Sequence, residues 1–71
     1  MEKYKDRSGS SGISAYEIGD DWIRVRFKPG TIYKYSYRSA GQDHVEQMKD
    51  LAQKGRGLAS YISKYTRDLF E

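Results

Sequence analysis

Cations alternate with apolar and aromatic residues in two neighbouring stretches of this chain. One reads Trp22-Ile23-Arg24-Val25-Arg26-Phe27, and the other Ile32-Tyr33-Lys34-Tyr35-Ser36-Tyr37. Guanidinium and ammonium groups attract phosphates, and an exposed indole can stack on a base. A third stretch, Lys54-Gly55-Arg56-Gly57, followed by Lys64 and Arg67, sets cations beside glycines. Such glycines let backbone N–H groups approach a phosphate, although the same residues also suit a plain turn between helices. The chemistry on offer is non-covalent capture of an anion. Covalent chemistry has little to work with. His44 is the single histidine and there is no cysteine, so neither a structural zinc set nor an ordered nucleophile is evident. Asp20-Asp21 has too few oxygens for a calcium loop, and no phosphate-binding or dinucleotide fingerprint occurs. We expect a protein that is not an enzyme and carries no cofactor or metal.

The elements that must hold these residues are few. A chain of 71 residues is one domain at most, and at that size the core is thin. The net charge of +3 and pI near 9.2 suit a nucleic-acid partner, and equally a small domain kept soluble by lysine and arginine. Absence of cysteine, of an apolar leader and of any long apolar run leads us to expect a soluble cytoplasmic protein, with no membrane partner.

Residues 1–9 are polar apart from Tyr4 and are expected to form a flexible N-terminal tail ahead of a single domain at 10–71. Ile13 to Ile18 suits a short strand, with Ser14, Tyr16 and Ile18 on one face and Ile13, Ala15 and Glu17 on the other. Gly19-Asp20-Asp21 is turn chemistry. Trp22 to Phe27 alternates as a half-buried strand does, Lys28-Pro29-Gly30 reverses the chain, and Thr31 to Tyr37 returns. From Ser39 the period becomes helical. Ser39 and Gln42 have capping-box spacing, and Val45, Met48, Leu51 and Ala52 line one side of a helix that Gly55 stops. A second helix presents Leu58, Tyr61, Ile62 and Tyr65, and Leu69-Phe70 folds back as an apolar tail. The expected fold is α+β: a three-stranded antiparallel sheet followed by two helices packed on one face.

This order of elements resembles the KTSC domain, a small bacterial domain found at the C-terminus of some lysyl-tRNA synthetases and also standing alone. The resemblance is carried by Ser10-Ser11-x-Ile13, Ile23-x-Val25-x-Phe27, Lys28-x-Gly30, Tyr33-x-Tyr35, Lys54-Gly55-Arg56 and Ile62. It spans about residues 10–67, and it implies a stand-alone bacterial or phage member. Two positions depart from the pattern. Gly57 stands where an aromatic is expected after Arg56, and Ser39-Ala40-Gly41 stands where a proline is expected before the long helix. The family's company with a synthetase implies RNA binding.

Strand parity decides which residues face a partner. A slip of one residue turns every side chain to the other face. Pairing Val25 with Tyr33 and Ile23 with Tyr35 places Ile23, Val25 and Phe27 on one face with Tyr33 and Tyr35, and aromatic–β-branched pairs gain roughly 0.2–1 kcal/mol. The alternative register would bury Lys34 without a partner, which costs several kcal/mol on an order-of-magnitude scale. Tyr33 and Tyr35 are therefore expected in the core, with Tyr37 at the strand end open to either side, and Trp22, Arg24, Arg26 and Lys34 on the helix-free face. With Lys54, Arg56 and Lys64 they form the expected contact set for RNA or single-stranded nucleic acid. The competing expectation is a protein-interaction module, a monomer or weak homodimer, that uses the sheet, its edge or the Leu69-Phe70 tail.

Overall fold

The computed structural model describes residues 1–7 and 9–71. Four strands run in sequence order as one antiparallel sheet: β1 (Glu2–Lys3), β2 (Ile13–Ile18), β3 (Trp22–Phe27) and β4 (Ile32–Ser36). A helical layer follows, made of the single turn α1 (Tyr37–Ala40), the long α2 (Gln42–Lys54) and α3 (Leu58–Tyr61), which widens into a π turn over Ile62–Thr66. The α+β class and the sheet-then-helices order agree with the sequence, while the described residues form four strands where three were expected and three helices where two were expected.

The first strand corrects the expectation of an N-terminal tail. Glu2 and Lys3 pair with Tyr16 and Ala15, and the Tyr4 N–H donates to Ser14 O at 3.1 Å. The physical reason is Tyr4, which is 2% exposed and packs edge-on against Tyr16. One buried aromatic holds the segment down. Ser8, within the stretch expected as a tail, lies outside the described residues.

The register between β3 and β4 is the one that hydrophobic parity selects. Val25 sits opposite Tyr33, Ile23 opposite Tyr35 and Arg24 opposite Lys34. Tyr35 is buried, and Tyr33 is half-buried with its ring edge-on to Phe27. Between β2 and β3 the register shifts between Ile13 and Ala15, where a bulge inserts Ser14 as an extra residue. The bulge corrects the alternation expected for β2. Ile13, Tyr16 and Ile18 all pair with core-facing residues of β3, which simple alternation would forbid.

Two helix boundaries also differ from expectation. Tyr37 leaves the tyrosine row, because Ser36 caps α1: its hydroxyl accepts the Ser39 N–H, while the Ser39 hydroxyl accepts the Ser36 N–H. The capping box thus sits one turn earlier than Ser39–Gln42, and Gly41, at φ 95°, separates α1 from α2. In the last helix the wider i→i+5 turn brings Leu58, Ile62 and Thr66 inward. Tyr65, expected inside, is 56% exposed.

The core lies between the sheet and α2–α3. Tyr4, Ile13, Ile23, Val25 and Tyr35 meet Val45, Met48, Ala52, Leu58 and Ile62. The tail folds back as expected. Phe70 packs on Tyr33 at 4.7 Å between ring centres and on Tyr35 at 6.4 Å, and the Glu71 N–H donates to Lys34 O at 2.8 Å. That last bond covers part of the β4 edge, a liability when left open. Among the described residues no helix is long and apolar enough to cross a membrane.

Candidate nucleic-acid interface

The helix-free face of the sheet is built by the residues that parity turns away from the core. Trp22 is half-buried, its indole lying directly over Gly19, where a Cβ would sit 2.0 Å from the ring. Only glycine leaves room for it. The Arg24 guanidinium lies 4.8 Å from the indole centre and the Lys34 ammonium 5.4 Å, so two cross-strand cations share one ring. Cation–π attraction of this kind is worth about 0.5–1 kcal/mol at exposed sites. It holds the two charges in place beside each other.

Carboxylates also reach this face. Glu17, opposite Arg24 on β2, pairs with it at 2.9 Å, and Glu71 approaches Lys34 at 3.8 Å. The Arg26 Nε–H donates to Ser14 Oγ at 3.1 Å, where the β2 bulge presents it. These pairs are solvent-exposed, and such bridges contribute roughly 0–1 kcal/mol, so a phosphate can replace either carboxylate at small cost. Neither Glu17 nor Glu71 was singled out from sequence. Glu17 could have been found once β2 and β3 were read as a hairpin, since it falls opposite Arg24.

The structure brings Trp22, Arg24, Arg26 and Lys34 together and sets the other three candidates apart. Lys54 and Arg56 flank the α2–α3 turn and Lys64 lies in the last helix, all in the layer on the other side of the sheet. Gly55, at φ 77°, ends α2 as expected, its N–H reaching back to Leu51 O and Ala52 O. Lys54 pairs with Asp50 one turn earlier at 3.0 Å. This loop also receives Lys5 and Arg7, which a tail reading left out of account: the Arg7 N–H donates to Gly55 O at 2.7 Å and its Nε–H to Lys54 O at 2.9 Å.

His44 belongs to a separate cluster between the helices. Its Nδ1 lies 2.7 Å from the Tyr61 hydroxyl, and Tyr65 stacks against the imidazole. Burial pushes the Tyr61 phenol up, with Tyr65 and Asp43 adding to the effect. Among the described residues no group of three His, Asp or Glu side chains could hold a metal ion. An open groove of about 450 Å³ beside β1 and β2 is lined by Met1, Glu2, Tyr16, Glu17, Ile18 and Gln53.

Comparisons with protein-family models, with curated proteins and with solved structures found no match. The functional reading therefore rests on the geometry.

Proposed function

We propose that this chain is a small non-enzymatic binding domain for single-stranded nucleic acid, RNA in particular. The observation that carries the proposal is the Trp22 indole with Arg24 and Lys34 both within 5.4 Å of its centre on the helix-free face. A π surface between cations matches the two recurring parts of a single-stranded nucleic acid, a base and its flanking phosphates. In this reading Trp22 stacks, while Arg24, Arg26 and Lys34 take phosphates, displacing Glu17 and Glu71. Lys54, Arg56 and Lys64 contact phosphates that pass the helical layer. The resemblance to the KTSC domain points the same way, through that family's association with a synthetase.

The test is binding of a short oligonucleotide by wild type and by Arg24→Gln/Arg26→Gln. Loss of two phosphate contacts on a single strand should make the salt dependence shallower by about 1.4 in log K against log [salt], with several-fold weaker binding at low salt. Equal binding by the variant would contradict the proposal.

A second reading draws on one observation. Ile32 is 51% exposed on the β4 edge, opposite Arg26, and could seat a protein partner or a second copy. The Leu69-Phe70 tail supports it less, because Phe70 is engaged with Tyr33 and Tyr35. Light scattering across concentration, with Ile32→Ser as the comparison, separates this reading from the first.

A further inference from the structure

The geometry points to a second phosphate site, built where the N-terminal segment docks on the α2–α3 loop and formed by Lys5, Arg7, Lys54 and Arg56. Its ligand is a row of consecutive phosphates. As a contact surface for nucleic acid it rests on the function proposed above.

Two chain segments distant in sequence make it. The segment crosses so closely over Gly55 that a Cβ there would lie 2.6 Å from Lys5 Cβ. Arg7 fastens it by its backbone bond to Gly55 O and its Nε bond to Lys54 O. Burial of Tyr4, whose hydroxyl accepts the Leu58 N–H at 3.4 Å, anchors the same segment from the core side. Lys5, Arg7, Lys54 and Arg56 are all exposed. The backbone therefore sets four cations around one glycine turn.

The charge balance here differs from that of the sheet face. There, Arg24 has Glu17 and Lys34 has Glu71. At the loop, Lys54 pairs with Asp50. Asp6 lies between Lys5 and Arg7, its Oδ1 accepting the Ser11 N–H, and its charge with that of Asp50 still leaves two of the four positive charges unbalanced. The C-terminal end of α2 supplies roughly half a negative charge, which favours Arg7 and Lys54 but does not neutralise the group. Like charges gathered in this way repel one another, and an incoming polyanion relieves that repulsion while releasing its own counterions.

Tripolyphosphate and an oligothymidylate of about 15 nucleotides, each titrated into the full chain at low ionic strength and followed by amide NMR, test this. Tripolyphosphate should shift the amides of Lys5, Arg7, Gly55 and Arg56. Lys5→Gln/Arg56→Gln, which keeps the stem of residue 5 and alters an exposed side chain, should bind it several-fold more weakly with an unchanged thermal midpoint. The same variant should bind the oligonucleotide with a salt slope shallower by about 1.4. Tripolyphosphate binding without oligonucleotide binding would uphold the anion site and sink the nucleic-acid function. Oligonucleotide binding that the variant leaves unchanged would uphold the function and overturn the site. If neither ligand binds, both are overturned.

Discussion

Gly55 and Gly57 both hold the left-handed conformation, at φ 77° and 80°, yet they are not equivalent. A methyl group on Gly55 would strike Lys5 Cβ at 2.6 Å, whereas on Gly57 it would meet Leu51 Cδ2 at 3.4 Å. Left-handed backbone costs a non-glycine residue about 1–2 kcal/mol. Gly57→Ala should lose about that much, and Gly55→Ala more, since the N-terminal segment must also shift. Urea denaturation measures both, and equal losses would contradict the docked position of Lys5. Tyr35 offers a pH test. Burial pushes its phenol from the ordinary 10.0 up to about 12, with Tyr33 and Asp68 adding to the effect. The folded state then favours the neutral phenol. Its contribution is full below pH 10 and is lost as pH rises toward about 12. Tyr35→Phe should therefore lose stability less steeply than wild type across that window, and parallel declines would contradict the assignment.

At the scale of elements, what was legible in the sequence was whatever one strand or helix states about itself. Trp22 to Phe27 alternates without a break, and its observed bounds are those residues. Parity then fixed the β3–β4 register, because the alternative buries Lys34. Features set by two elements at once were not legible. The β2 bulge exists so that Ile13, Tyr16 and Ile18 can all face the core, a demand visible only once β3 lies beside them. The capping box was misplaced because Ser36 and Ser39 satisfy each other as well as Ser39 and Gln42 could. Tyr65 was put inside because a regular helix turns at 3.6 residues, and the π turn does not. The N-terminal segment was the largest miss. Its one signal was Tyr4, a lone aromatic among polar residues. Tyr4→Ala should cost about 3 kcal/mol or more, as truncating a buried aromatic does. A loss of unfolding free energy in urea of less than about 1 kcal/mol would mean that β1 does not help hold the fold.

On the scale of the whole molecule, a small core consumes most large apolar residues, and the chain carries 13 lysines and arginines against 10 aspartates and glutamates. The sheet face and the docked N-terminal loop lie on opposite layers, so they cannot grip one short stretch of backbone from a single side. A strand that used both would have to pass around the domain. The candidate set splits between the layers: Arg24 and Lys34 meet at Trp22 with Arg26 farther along the same face, while Lys54 and Arg56 have Lys5 and Arg7 as neighbours.

Trp22 is the single tryptophan, so its fluorescence reports the proposed interface directly. The decisive measurement is its quenching by oligothymidylate across a series of salt concentrations. Three phosphate contacts by Arg24, Arg26 and Lys34 predict quenching at low salt and a slope of log K against log [salt] of about −2 or steeper. No quenching at low salt, or affinity that does not change with salt, would contradict nucleic-acid binding by this face.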